Sequence, residues 1–330
     1  MIKVLTTRPL YWDGLQTDKM IIKTVEIGNK LRNGTTMPEG IGTLMFNEGK
    51  QKLLIAFEEF KPDVFIFVTH FGLFTLEFLQ QIKWKYSKTV FIHWSGNQVL
   101  DKVHNLCWYT YEMKSCIDVV LTNNKDPERI KLISSQIKKV FTLYDFGFDP
   151  LLFTAPQKEA EIECFFGGGN SVRLNKPKGT FPHSMLRRDI LTKINKLYNL
   201  EVRGGGWAFG TFGKLHGLQY FKTIQRAKIT LGINHLDLER YYTKRTFFFG
   251  ASGRMYLVYY IPGMEKDFEN HKNIVWYKTE QECFSFLKYY LINEGERETI
   301  AKNQREHFIK YHSWIPRLND LNSIIERIVQ

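Results

Sequence analysis

The chain has 330 residues, 43% of them hydrophobic, and a formal net charge of +12 at pH 7. Such a length usually makes two domains, the composition excludes an intrinsically disordered chain, and the lack of any run of about 20 apolar residues excludes a membrane-spanning helix. The excess of positive charge favours a polyanion or an anionic membrane surface as partner, unless the lysine-rich composition only reflects an AT-rich genome.

Strands and helices alternate along the first half of the chain. Continuous apolar runs such as DVFIFVTH are typical of buried parallel strands. We predict strands at 2–6, 63–70, 117–122 and 138–144, a strand with its exit loop at 89–97, helices at 50–60 and 73–85, a weak helix at 18–31 and an irregular stretch at 33–49. Strand and helix alternating at this spacing predict a doubly wound α/β domain.

Three side chains of this half are candidates for a catalytic base. His70 and His93 are expected at strand ends, and neutral histidine titrates close to working pH. Asp13 follows the first strand, in a loop that would face the crevice of a parallel sheet, and Arg8 of the same loop could meet a phosphate. For each of them the alternative is structural: a half-buried, hydrogen-bonded histidine or a solvated loop residue.

A turn-rich passage and a charged linker place the domain boundary near residues 155–160. The second half then opens with ECFFGGGN, a strand and a glycine turn where the backbone must approach something closely. We predict strands at 163–166, 200–203, 227–234, 255–261 and 274–277, and helices at 184–197, 218–227, 245–252, 279–292, 294–311 and 314–328, with Ser184 capping the first of these.

A basic loop follows the glycine turn and is broken by Pro and Gly. It contains Arg173, Lys176 and Lys178 and is the best candidate in the chain for holding a polyanion. The alternative is an ordinary solvated loop.

The stretch from Leu231 to Asp267 is the most informative. Two strand ends, near Asn234 and Ile261, bracket a helix that should stop at Gly253. Lys244 and Arg245 stand at the start of that helix, where free backbone N–H groups and cations favour a phosphate or diphosphate.

The same stretch resembles the sugar-nucleotide site of GT-B glycosyltransferases, and most closely the CgeB/YkvP-like branch. The resemblance rests on RTF at 245–247, Ala251, Gly253, PGME at 262–265, and the passage with Gly147, Asp149, Phe153 and Pro156. Two positions depart from the family: the acid that contacts the ribose falls at Phe248, and the position eight residues earlier, often acidic in retaining relatives, is Arg240.

The resemblance implies an α/β GT-B fold of two doubly wound Rossmann-like domains with an interdomain cleft. It places an acceptor-side domain at 1–157, a donor domain at 158–312, and at 313–330 a helix that crosses back. It also implies a nucleoside-diphosphate sugar as co-substrate, a UDP-sugar first among them. Because Lys244 and Arg245 could neutralise a diphosphate and no D-x-D motif follows a strand, we expect no metal or cofactor to be required. The implied donor-binding residues are Gly168, Gly206, Trp207, Asn234, Lys244, Arg245, Thr246 and Glu265, with Trp207 either stacking on the base or packing in the core.

The four cysteines form no CxxC pair, and the N-terminus lacks a signal-peptide core. We therefore expect a reduced, cytoplasmic protein. For the acceptor, the charge and the basic loop suggest DNA with a hydroxylated base, as in the DNA glucosyltransferases of T-even phages. The alternatives are a glycosyltransferase of cell-surface or spore polysaccharide near an anionic membrane, and an inactive GT-B fold that only binds DNA or a glycan.

Overall fold

The structure is a computed structural model that describes residues 1–7, 19–25, 41–68, 75–95, 108–144, 146–170, 172, 183–209 and 217–330. The chain divides into two compact units. The first unit comprises Met1–Asp145 and Leu318–Gln330, and the second comprises Phe146–Arg317.

The first unit is built on a parallel sheet of six strands in the order β2-β1-β3-β4-β5-β6. The strands are β1 (Ile2–Thr6), β2 (Met20–Thr24), β3 (Val64–Phe67), β4 (Val90–Ser95), β5 (Val119–Thr122) and β6 (Lys139–Thr142). The helices described between them are α1 (Ile41–Phe60), α2 (Leu76–Lys85), α3 (Trp108–Met113) and α4 (Pro127–Ser134).

Aromatic rings fill the core beneath this sheet. The ring of Phe57 on α1 meets that of Phe65 on β3 at 4.9 Å, and Phe65 meets Phe91 on β4 at 5.3 Å. All four residues of β3 are buried, as the continuous apolar run predicts. Burial of these large rings stabilises the unit because each removes a large apolar area from water.

Several predictions for the first unit are wrong. Within the weak helix predicted at 18–31, residues 20–24 instead form the edge strand β2, paired in parallel with β1, because Met20 and Ile22 alternate with less buried neighbours at the period of a strand. Residues 41–49, predicted to be irregular, form the first turns of α1. Helix α4 was not predicted although Asp126 caps it and Pro127 occupies its first turn, a standard start signal.

The second unit has a parallel sheet of five strands in the order β11-β10-β9-β7-β8. The strands are β7 (Ile162–Gly167), β8 (Leu200–Arg203), β9 (Ala227–Gly232), β10 (Met255–Tyr259) and β11 (Val275–Tyr277). The helices described here are α5 (Ser184–Leu197), α6 (Gly217–Ile224), α7 (Lys244–Ala251), α8 (Glu280–Ile292), α9 (Glu294–His312) and α10 (Trp314–Val329), whose residues from Leu318 onward belong to the first unit.

Helix boundaries in the second unit follow their sequence signals with one exception. Thr279 forms a capping box with Glu282 at the start of α8. Gly253 follows α7 with φ of +71°, and a Cβ there would lie 2.5 Å from Cδ of Pro156, so only glycine fits. The exception is Ser184, which is not the cap of α5 but its first residue, buried, after His183.

The strand order creates a switch point in the second unit. The chain leaves β7 for β8 on one side and returns to β9 on the other, so β7 and β9 are neighbours whose connections diverge. Ligands of parallel α/β sheets bind at the carboxyl ends of the strands at such a point. Here those ends are Gly167 and Gly232.

In the described ranges, no helix is long and apolar enough to cross a bilayer. Cys116, Cys164 and Cys283 are buried free thiols.

Candidate functional site

Arg245, the second residue of α7, reaches back to both strands of the switch point. Its Nη1 donates to the carbonyl oxygen of Gly167 at 2.9 Å. Its Nη2 donates to the carbonyl oxygen of Ile233 at 3.0 Å and to Oδ1 of Asn234 at 3.3 Å. The side chain is half-buried, so the guanidinium is fixed at the carboxyl ends of β7 and β9.

A second guanidinium, which the sequence analysis did not single out, meets the first. Arg187 on α5 is 2% exposed. Its Nη1 donates to the carbonyl oxygen of Gly169 at 3.3 Å, and its Nη2 donates to the same Ile233 carbonyl that Arg245 uses. Burial, and then the neighbouring Arg245, lower the pKa of Arg187 to about 8.

The sequence did carry a signal for Arg187. It lies three, four and seven residues before Ile190, Leu191 and Ile194, which are fully buried in the apolar face of α5. An arginine on the apolar stripe of an amphipathic helix is unusual, because burying a charge is costly unless it is paired.

Within the described ranges, no acidic side chain forms an ion pair with either arginine. Both guanidinium carbons instead lie over the ring of Phe166, at 5.5 and 5.0 Å from its centroid. Nor, within the part of the chain described, do three His, Cys, Asp or Glu side chains lie where they could hold a metal ion. The local charge is therefore strongly positive.

Glycines let the backbone approach these groups closely. A Cβ on Gly168 would lie 2.7 Å from Nη1 of Arg245. A Cβ on Gly167 would lie 1.8 Å from the hydroxyl of Tyr220, and one on Gly232 would lie 2.2 Å from the hydroxyl of Tyr256. Any side chain at these positions would displace the polar groups beside the strand ends.

The two glycine-rich turns bond mainly to each other. The N–H of Gly168 donates to the carbonyl oxygen of Arg203 at 2.8 Å, so this N–H group is already paired within the protein. The N–H of Asn170 donates to the carbonyl oxygen of Gly205 at 2.9 Å. Gly206, with φ of +84°, accepts at its carbonyl oxygen from the side-chain amide of Asn170 at 3.0 Å.

Trp207 lies in the core. It is 4% exposed, meets the ring of Phe166 edge-on at 5.8 Å, and donates from Nε1 to the carbonyl oxygen of Gly168 at 2.8 Å. Of its two predicted roles, the structure places it in core packing rather than on a nucleobase, because both faces of a buried indole are covered.

The other predicted donor residues surround the start of α7. Lys244 is exposed, with Nζ 5.1 Å from the ring centroid of Phe248. Thr246 is buried, and Asn234 is held by a bond from its side-chain amide to the carbonyl oxygen of Tyr241 at 2.8 Å. The structure therefore brings together Lys244, Arg245 and Asn234 at one end of the sheet.

Glu265 lies in the short 3₁₀ turn Met264–Lys266 after β10 and is exposed. Its Oε2 accepts from the hydroxyl of Tyr260 at 2.9 Å. Its own backbone N–H and that hydroxyl lower the pKa of Glu265, so it carries a charge at neutral pH.

The two positions that depart from the family pattern have structural roles. Phe248 is 6% exposed and stacks on Phe153 with ring centroids 5.2 Å apart. Arg240, at φ of +51°, forms an ion pair with Asp267, which also accepts from the hydroxyl of Tyr242 at 2.7 Å. Neither position therefore supplies a carboxylate for a ribose.

Of the predicted catalytic bases, the structure describes His93 alone. The prediction that it lies at a strand end is wrong: it is inside β4, with no exposed surface. Its Nδ1 lies 3.1 Å from Oγ1 of Thr110, and burial lowers its pKa to about 3, which disfavours a role as base. Outside the described residues lie His70, Asp13, Arg8, Arg173, Lys176 and Lys178.

Comparison with known proteins places this geometry in context. Residues 187–323 match the family model described as Glycosyl transferase-like, and this stretch includes Arg187 and Arg245. A glycosyltransferase from Rickettsia africae ESF-5 superposes with a TM-score of 0.60 at 10% identity, over 100% of this chain and 99% of that chain. Alr3699/HepE from Anabaena, in complex with UDP-glucose, gives a TM-score of 0.58 at 10% identity, over 99% and 100% of the two chains.

A third similar structure is sucrose-phosphate synthase from Thermosynechococcus elongatus, with a TM-score of 0.56 at 10% identity over 99% of this chain and 88% of that chain. No curated protein shows significant sequence similarity to this chain. The two parallel α/β units and these likenesses establish the predicted GT-B fold, and the matched stretch is glycosyltransferase-like. The narrower CgeB/YkvP-like resemblance stays a prediction.

Proposed function

We propose that the protein is a glycosyltransferase that moves a sugar from a nucleoside-diphosphate sugar, in the first instance a UDP-sugar, to a hydroxyl acceptor. The observation that carries the proposal is the position of Arg245, whose guanidinium bridges the carboxyl ends of β7 and β9 at the switch point of the second unit. In addition, UDP-glucose is bound by the similar Alr3699/HepE.

Arg245 and Lys244 would neutralise the leaving diphosphate. Negative charge develops on that group as the bond between sugar and phosphate breaks, and fixed cations stabilise it because they need no reorganisation. Both residues are at the start of α7, where the helix dipole adds to the attraction. Cations in this position would do the work that a metal ion does in other transferases.

The acceptor hydroxyl must lose its proton during transfer. Of the three bases that the sequence suggests, His93 is unsuitable as placed, since it is buried and its pKa is lowered to about 3. His70 and Asp13 therefore stay the predicted candidates. Glu265, exposed and charged, is the proposed acceptor of a hydrogen bond from a sugar or ribose hydroxyl.

For the acceptor we propose a hydroxylated base in DNA. The proposal is supported by the net charge of +12 and by the basic residues Arg173, Lys176 and Lys178. Cell-surface or spore polysaccharide is the alternative acceptor, made near an anionic membrane. A GT-B fold that binds DNA or a glycan without turnover is a second alternative, favoured by the absence of an acid at Phe248 and Arg240.

Calorimetric titration with UDP and UDP-sugars, and a donor-hydrolysis assay with a panel of nucleotide sugars, test the donor. We expect Arg245→Gln to weaken UDP binding at least about tenfold, the scale of a lost charge-assisted contact. Arg254→Gln is the matched control. Arg254 is also buried but directly precedes β10, so it lies at the amino ends of the strands rather than at their carboxyl ends. Equal UDP affinity in Arg245→Gln and the unsubstituted protein would refute the site.

Transfer of labelled sugar to DNA containing hydroxymethylated bases, compared with transfer to polysaccharide, tests the acceptor. We expect DNA affinity to fall steeply with added salt, because cations that bind phosphates release counterions. Transfer to polysaccharide alone, with no DNA binding at low salt, would favour the glycan alternative. Donor binding without hydrolysis or transfer would favour the inactive fold.

A further inference from the structure

The carbonyl oxygen of Ile233 is shared by two arginines. It accepts from Nη2 of Arg245 at 3.0 Å and also from Nη2 of Arg187, which a carbonyl can do because it has two lone pairs. Arg245 additionally bonds Gly167, and Arg187 additionally bonds Gly169. The two guanidiniums therefore span the same pair of loops, which follow β7 and β9.

A buried and a half-buried like charge beside each other are costly for a folded protein. Other buried arginines of the second unit are compensated in two ways. Arg297, 1% exposed, has Glu294 at 2.7 Å and Glu298 at 3.4 Å, whereas Arg254, 6% exposed, donates to the carbonyl oxygens of Gln225 and Lys158. Arg187 bonds carbonyl oxygens and a histidine, but it shares one of those carbonyl oxygens with a second arginine. The repulsion between Arg187 and Arg245 is thus left for another group to compensate.

The histidine keeps the local charge from rising further. Nε2 of His235 lies 2.5 Å from Nη1 of Arg187. Burial, followed by the charges of Arg187 and Arg245, lowers the pKa of His235 to about 3, so it is neutral and can accept a hydrogen bond from the guanidinium. The group of Arg187, Arg245 and His235 therefore carries two positive charges at neutral pH, both of them on the arginines.

Other donors and contacts of the pair are consistent with a bound anion. Nε of Arg187 and Nε of Arg245 are buried and have no hydrogen-bond partner within the described structure. The shared ring of Phe166 fixes the spacing of the guanidiniums. The lack of a side chain at Gly168 lets Nη1 of Arg245 lie close to its backbone, since a Cβ there would be 2.7 Å from that nitrogen.

We infer that Arg187 and Arg245 form a binding pair for a dianion, the diphosphate of the sugar donor, with Arg245 in contact and Arg187 as a positioning residue. The identity of the occupant rests on the proposed function; the pairing itself does not. Arg187 acts by holding the carbonyl groups of Gly169 and Ile233, the second of which also accepts from Arg245, and by adding a second positive charge that favours a ligand with two phosphate groups over one with a single phosphate.

Titration of the protein with UDP, UMP, uridine and inorganic pyrophosphate tests this inference. The variants are Arg187→Gln and Arg187→Lys, with Arg254→Gln as the control for loss of a buried arginine elsewhere in the unit. In Arg187→Gln we expect pyrophosphate and UDP affinity to fall about tenfold or more, uridine affinity to stay the same, and the preference for UDP over UMP to shrink. Arg254→Gln should keep that preference.

A merely structural role predicts a different result. It would weaken UDP, UMP and uridine binding by the same factor, and that outcome overturns the inference, as does unchanged UDP affinity in Arg187→Gln. If Arg187→Gln does not fold, Arg187→Lys decides, because lysine keeps the charge but has no planar fork to bridge both carbonyls. We expect it to bind pyrophosphate more weakly than the unsubstituted protein, and equal affinity would contradict the pairing.

The two proposals fail in distinguishable ways. If the protein binds pyrophosphate in an Arg187-dependent manner but binds no nucleotide sugar, the dianion pair stands and the proposed function falls. If UDP-sugars bind and turn over while Arg187→Gln binds UDP and pyrophosphate as tightly as the unsubstituted protein, the proposed function stands and the dianion pair is refuted.

Discussion

Arg240 and Asp267 form a two-pronged ion pair. Nε of Arg240 donates to one carboxylate oxygen of Asp267 at 2.6 Å, and Nη2 donates to the other. The pair links the loop between β9 and α7 to the turn after β10, which are the two segments that flank the start of α7. Arg240 adopts a left-handed conformation there, with φ of +51°, so the pair holds a backbone that is otherwise unfavourable.

We expect Asp267→Asn to lower the free energy of unfolding by about 2–3 kcal/mol, because it leaves the partly buried Arg240 without its charge partner. Urea denaturation measures this change. Glu239→Gln is the control: Glu239 pairs with Lys266, whose side chain is 59% exposed, and such surface pairs contribute little. Equal effects of the two substitutions would contradict the structural role of Asp267.

Protonation of His93 should destabilise the fold in acid. Its pKa is lowered to about 3 by burial, while the unfolded chain has a histidine pKa near 6.5. Between these values the unfolded state binds more protons, so the free energy of unfolding falls as the pH falls, by up to about 1.4 kcal/mol per pH unit for this group. Above pH 6.5 this contribution is constant.

Denaturation curves from pH 7 to pH 4 for the unsubstituted protein and for His93→Gln measure the effect. In His93→Gln, the free energy of unfolding should decrease less per pH unit than in the unsubstituted protein, by up to about 1.4 kcal/mol. This difference in slope does not depend on the absolute stability of the variant. An identical slope in both proteins would show that His93 is accessible to solvent.

Gly168→Ala tests the close approach to Arg245. The added methyl would lie 2.7 Å from Nη1, so the guanidinium must move. We expect UDP affinity to fall about tenfold, since charge-assisted contacts depend on geometry. Gly205→Ala is the matched control, because a Cβ there meets nothing within 4 Å. UDP binding as tight in Gly168→Ala as in Gly205→Ala would argue against contact between Arg245 and the donor.

Trp207→Phe separates the two predicted roles of the indole. The substitution removes the hydrogen bond to the carbonyl oxygen of Gly168, so we expect a loss of about 1 kcal/mol in the free energy of unfolding. Uridine affinity should be unchanged, because the buried ring does not reach a nucleobase. A specific loss of uridine binding, with stability intact, would restore the stacking role.

In the second unit, the sequence predicted helix boundaries well where residues that start or stop a helix are present. Helix α7 begins one residue before the predicted Arg245 and its end is followed by Gly253, since a cationic start and a left-handed glycine are local features. In the same way, the capping box at Thr279 fixes the start of α8. The strands β7, β9 and β10 were found because they are almost entirely buried, which gives continuous apolar runs.

What the sequence could not supply is the pairing of distant side chains. Phe248 stacks on Phe153, and Arg240 forms an ion pair with Asp267. These partners are 95 and 27 residues away in the chain. Likewise, the proximity of Arg187 to Arg245 follows from the strand order, which brings β7 beside β9. The edge strand β2 was missed because five residues are too few to separate a period of 2 from one of 3.6.

The first unit draws on residues from both ends of the sequence, because Leu318–Gln330 belongs to it. Leu321 and Ile325 of α10 have no exposed surface, and Glu326 pairs with Lys19 at 3.1 Å. A ribosome releases β1 to β6 long before these residues, whereas the second unit is contiguous. We therefore expect the second unit to fold first during translation. The first unit can complete its fold only after Leu318–Gln330 has been synthesised.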